Sequence, residues 1–155
     1  MIKFLKNLFG KEISGQNKDV DRDTQDDKII EAVAVLLLRA ASIDGNKDEV
    51  EILSIKRLLK KQFDLGDDEI EILLSSATKE EEKSVDLYKW SRIINDNFSK
   101  EKKHIVFSMM CEIIIADGLI DPFESSLIRR LSGLLYISDK EAGFIRKKIL
   151  ETKGK

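Results

Sequence analysis

The sequence predicts an all-α protein, a compact seven-helix bundle with a pseudo-symmetric internal repeat, preceded by a short N-terminal amphipathic segment. Three observations predict it. One proline occurs in 155 residues and no stretch alternates β-branched with polar residues, so strands have little support. Apolar residues recur at helical spacing almost without pause from Asp27 onward. The pattern D-G-x-x-D-x-x-E occurs twice, as DGNKDEVE from Asp44 and DGLIDPFE from Asp117, each after the most apolar stretch of its half.

The elements follow in chain order. Residues 1–11, MIKFLKNLFGK, put Ile2, Leu5, Leu8 and Phe9 on one side of a helix, with Lys3, Lys6 and Lys11 around it. Lys6 and Asn7 interrupt the apolar stretch and no small-residue cleavage site follows, which argues against a secretory signal. Such a segment either lies on an anionic membrane surface, or docks on its own domain or frays. Its small apolar area favours docking, since a piece this short does not anchor a protein alone. Residues 12–26 are polar and carry the run KDVDRD, the composition of a linker.

The helical domain is expected over residues 27–151. A first helix runs from about Asp27 to Asp44; IIEAVAVLLLRAAS is apolar nearly all round, the mark of a helix at the centre of a bundle. A second starts at Asp48 and carries Val50, Ile52, Leu53, Ile55, Leu58 and Leu59. The turn FDLGDDE leads to a third with Ile70, Ile72, Leu73 and Leu74. TKEEEKS reads as a charged break before the fourth, where Trp90 shares helical spacing with Leu87 and Ile94 and reads as core. Ser99 can cap the fifth, whose HIVFSMMCEIIIA mirrors the first in apolarity. Pro122 opens the sixth, where a missing N–H costs nothing. Ser138 to Glu141, S-D-K-E, forms a capping box for the seventh.

An offset of 73 residues aligns Asp44, Gly45, Asp48, Glu51, Ile55, Arg57 and Leu58 with Asp117, Gly118, Asp121, Glu124, Ile128, Arg130 and Leu131. One helical hairpin is used twice. Most of the motif is explained by the joint itself. Glycine after a helix allows the left-handed residue that reverses the chain. Asp48 or Asp121 caps the next helix, and Glu51 or Glu124 closes the box and meets the positive helix end. Asp44 and Asp117 are left over, because a carboxylate at a helix C-terminus meets the negative end of the dipole. Hydrogen bonds from the next helix would offset that, and so would a bound cation held by Asp44, Asp48 and Glu51, or by Asp117, Asp121 and Glu124. Calcium asks for about six to eight oxygens, so carbonyls and water would complete either shell. The motif is not an EF-hand, whose acids at positions one, three and five precede its glycine.

Charge and composition exclude several functions. Lys and Arg total 27 against 29 Asp and Glu, a net charge of −2, which lacks the basic excess of nucleic-acid binders. Cys111 is the lone cysteine, lies in FSMMCEIII and aligns with Leu38, so it reads as packing in a reducing, cytoplasmic setting. His104, the lone histidine, excludes the Glu-x-x-His pairs of di-iron bundles and most zinc sites. No nucleophile motif or glycine-rich phosphate loop occurs, and the expectation is a protein that is not an enzyme. The runs KEEEK and KRLLKK read as solvated surface.

On ADGLIDPFE, with its apolar lead-in helix, and on the earlier degenerate copy SIDGNKDEVE, the chain resembles the tellurite-resistance TerB family over roughly Asp27 to Leu150. The resemblance implies an all-helical fold, acidic sites for a divalent cation such as calcium or magnesium, a role in bacterial stress response near the inner face of the membrane, and no enzymatic activity. The metal role falls on Asp117, Asp121 and Glu124 first and on Asp44, Asp48 and Glu51 second. At the first turn Lys47 stands where the second has Ile120, and an ammonium there competes with a cation. The alternative is a helical adaptor for an unidentified protein partner, peripheral to the membrane through residues 1–11, with purely structural acidic turns.

Overall fold

The computed structural model describes residues 19–41, 49–84, 86–115 and 122–153. Every regular element among them is an α-helix, as expected. They are α1 (Asp19–Ala41), α2 (Glu49–Phe63), α3 (Asp67–Lys83), α4 (Tyr88–Asn97), α5 (Lys100–Ile114), α6 (Pro122–Leu134) and α7 (Asp139–Lys153). Residues 1–11 and the segment 12–18 lie outside the described residues.

The centre is α1. From Ile29 to Ala41 each residue except Glu31 and Arg39 is buried, so this helix has no solvent face over three turns. It packs against α2, α3, α4 and α5, which together enclose it. Its counterpart α5 buries Val106, Phe107, Met109, Met110, Cys111, Ile113 and Ile114, and packs against α1, α2, α6 and α7. Burial of each Leu, Ile, Met or Phe contributes about 1.5–3 kcal/mol, and these two helices supply much of it.

The contacts expose the repeat. The helices α1, α2 and α3 all touch one another, and so do α5, α6 and α7. Two three-helix units are therefore joined along α1 and α5, with α4 as the connecting helix laid on α1. The spacing of 73 survives in the helix bounds: Ala41 and Ile114 end the first helix of each unit, and Glu49 and Pro122 begin the second. Ile55 and Ile128 are both buried, as are Leu58 and Leu131.

Beyond that point the spacing becomes 72. The left-handed residues are Asp64 (φ 52°) and Tyr136 (φ 57°), the next caps are Gly66 and Ser138, and the third helices begin at Asp67 and Asp139. From the start of its second helix to the start of its third, the second unit is one residue shorter. There α6 closes tightly: the Ile137 N–H donates to the Ser132 carbonyl (2.9 Å) and the Tyr136 N–H to that of Gly133 (3.1 Å).

Two boundaries correct the sequence reading. The first helix begins at Asp19, so residues 19–26 of the expected linker are helical. A nucleated helix gains one backbone bond for each residue added, and DVDRDTQD contains neither glycine nor proline to stop it. The charged stretch TKEEEK is not a break either, because α3 continues through it to Lys83. Nor is KEEEK wholly solvated. Glu81 is buried, and its Oε2 lies 2.8 Å from Nε of Arg39, the one basic residue in the buried span of α1.

Around that pair the polar groups of the core are satisfied. Arg39 also donates from Nη2 to the Ser84 carbonyl (3.1 Å), Ser84 Oγ donates to the Glu80 carbonyl (2.8 Å), and Trp90 Nε1 donates to Ser84 Oγ (2.9 Å). Trp90 is core, as its spacing predicts. This cluster fixes α1, the end of α3 and α4 to one another.

Candidate functional site

In the sequence the two acidic motifs follow the two central helices, α1 and α5, at the same spacing. Asp44, Asp48, Asp117 and Asp121 lie outside the described residues, as do Gly45, Gly118, Lys47 and Ile120. The structure places the remaining two candidates. Glu51 is in the first turn of α2 and Glu124 in the first turn of α6, at matching positions, each partly exposed. Each of the two glutamates already interacts with neighbouring residues. Negative charge in the first turn faces the positive end of the helix dipole, which favours both glutamates where they stand.

What this arrangement can do chemically follows from its donors. Carboxylate oxygens are hard ligands suited to calcium or magnesium, not to soft metals. Among the described residues no three carboxylate, imidazole or thiol side chains gather into a ligand set, so Glu51 or Glu124 would act only together with the aspartates of its own turn.

Beside each turn stands an apolar side chain in water. Val50 is 71% exposed and Phe123 is 79% exposed, and the spacing of 73 relates them too. The sequence reading counts Val50 among the apolar residues of its helix and passes over Phe123. Helical periodicity alone could not separate them from the buried Ile55 and Ile128, but their place directly after the turn in both copies was a usable signal.

The other residues singled out from sequence fall as follows. Cys111 is fully buried, and burial pushes its thiol up to about 12. Ser99 caps α5, its Oγ accepting from the Lys102 N–H (3.3 Å). The capping box of α7 forms as predicted. The Ser138 N–H donates to Glu141 Oε1 (3.2 Å) and the Glu141 N–H donates to Ser138 Oγ (3.1 Å). The Lys100 ammonium, 2.9 Å from Glu141 Oε2, together with the Ser138 N–H, holds the Glu141 carboxyl down at about 2. His104 is half-buried on α5, with Nε2 3.7 Å from Glu141 Oε2. No helix among the described residues is long and apolar enough to cross a membrane.

A model of the family described as Tellurite resistance protein TerB matches residues 30–147, which takes in every helix from the buried part of α1 into α7. No curated protein matches the chain, and no solved structure does.

Proposed function

The chain belongs to the tellurite resistance protein TerB family, and from that premise we propose that it is a non-enzymatic module of a bacterial stress response that binds a divalent cation, calcium or magnesium, at its acidic turns. One observation carries the reading: Glu51 and Glu124 stand at the same first-turn position of two equivalent helices, each directly after an acidic D-G-x-x-D turn. Asp117, Asp121 and Glu124 would hold the cation at the second turn, and Asp44, Asp48 and Glu51 at the first. A bound cation would neutralise the aspartate at the negative end of the preceding helix and so brace the hairpin. Lys47 weakens the first site relative to the second, since an ammonium beside the ligands repels the ion.

Calorimetric titration of calcium and of magnesium into the protein tests this, with an Asp117→Ala, Glu124→Ala variant as the comparison. Saturable binding that the variant loses is the expected result. The absence of heat from either protein would sink the proposal.

A second reading is favoured by Val50 and Phe123. An apolar side chain left in water beside both turns suits a protein-interaction adaptor in which the acidic residues serve only as caps. No heat in the titration would turn the choice toward that adaptor. A cytoplasmic location at the inner face of the membrane belongs to either reading through residues 1–11. Sedimentation with anionic vesicles, with and without those residues, checks it: equal pelleting counts against membrane contact.

A further inference from the structure

A cleft of about 740 Å³ lies between the N-terminal halves of α5 and α7. Its charge comes from two helical stripes. Lys100 and His104 are one turn apart on α5, and Lys140, Phe144 and Lys147 follow one another at helical spacing on α7. Glu141 is the one acid in the lining, and it is spent, since Lys100 and Ser138 bind its carboxylate. Lys140 and Lys147 are exposed, and among the described residues neither takes part in an ion pair. The cleft thus carries a net positive charge although the whole chain is at −2.

The internal repeat says that packing does not require this. In the first unit the residues equivalent to Lys100 and His104 are Asp27 and Glu31, at a spacing of 73. Those equivalent to Lys140 and Lys147 are Asp68 and Ser75, at the spacing of 72 that holds for the third helices. The same fold therefore tolerates acidic or neutral residues at these places. The glutamate of the capping box is common to both copies, as Glu69 and Glu141, so the scaffold is kept while the charge inverts. Phe144, 62% exposed, adds an aromatic face at the cleft.

We propose that this cleft binds the phosphate of a small phosphomonoester, with Lys140 and Lys147 around the anion, Lys100 held beside it by Glu141, His104 at its edge and Phe144 against the organic body. Lysines serve such dianions as mobile point charges, and the volume lies in the range of small-molecule sites. The ester is either a free metabolite or the headgroup of a lipid, and the two sources are separable.

The test uses the full chain at physiological salt. Phenyl phosphate is titrated while backbone amide resonances are followed, and sedimentation is measured with phosphatidylcholine vesicles with and without phosphatidic acid. The comparison is a Lys140→Asp, Lys147→Ser variant, which installs the residues the first unit already carries; its thermal melt reports that it still folds. Saturable shifts around residues 100–104 and 140–147, weakened about tenfold or more in the variant, assign the site to a free ester. Phosphatidic-acid-dependent pelleting that the variant loses assigns it to a lipid. No saturable shift together with no acid-dependent pelleting overturns the proposal, and so does binding that the folded variant retains.

Discussion

Cys111 shows how one side chain is decided by its surroundings. It sits fully buried where the first unit has the equally buried Leu38, so sulfur stands in for a leucine side chain and has no water in reach. Burial, only partly countered by the charge of Arg146, pushes the thiol up to about 12, which leaves almost no thiolate at neutral pH. A water-soluble thiol reagent at about pH 8 is expected to modify Cys111 no faster than the protein opens, and at once in denaturant. Labelling of the native protein at the rate of a free thiol would contradict this. Glu81 is the opposite case at the same scale. Its sequence neighbours Glu80 and Glu82 resemble it in every respect, and only the arrival of Arg39 from α1 makes one of the three a core residue.

At the scale of the element, the start of α7 combines a cap, an ion pair and a displaced titration. Glu141 accepts from the Ser138 N–H and pairs with Lys100, which ties the beginning of α7 to the beginning of α5. Its folded value of about 2 lies below the ordinary 4.5. The carboxylate therefore contributes stability above the unfolded value, and that contribution fades as pH falls from about 4.5 through about 2. Urea midpoints of the wild type and of Glu141→Gln, taken from about pH 6 to about pH 2, are expected to differ at the upper end and to converge at the lower. A gap that stays constant would mean that Glu141 acts only by its shape. In the same element Ser138→Ala removes the hydroxyl that receives the Glu141 N–H, and a loss of about 1 kcal/mol is expected in denaturant titrations. This cap was legible from S-D-K-E because its bonds are local. The extension of α3 through TKEEEK was not, since it depends on Glu81 meeting Arg39 across the bundle.

For the whole molecule, the two three-helix units resemble each other but are not independent. The buried span of α1 is enclosed by α2, α3 and α4 from its own side and by α5 from the other unit. Removing α5 would lay open part of a helix that has no polar face, at a cost of about 25 cal/mol for each Å² exposed. A fragment of residues 1–84 is therefore expected to show no cooperative unfolding transition and no dispersed amide spectrum, whereas the full chain unfolds in a single step. A folded, monomeric fragment would contradict the account of α1 as a shared core. The candidate sites divide along the same line. The acidic turns stand out in the sequence because the motif is written twice. The basic cleft does not, because Lys100, His104, Lys140 and Lys147 are scattered over two distant segments and only the packing of α5 against α7 gathers them.

The sequence by itself determined the helices, their order, the caps at Ser99 and Ser138 and the doubled pair of helices, because periodicity and capping act over spans of a few residues. It also carried the family, through the motif at Asp117 and its earlier copy. Tertiary structure alone decided that α1 is the shared centre and that the second unit is one residue shorter. It also decided that Glu81 is buried with Arg39 and that the basic residues of α5 and α7 meet at one cleft. The reason is physical: burial and electrostatic environment are set by whatever chain segment packs alongside, and local spacing does not encode which segment that will be.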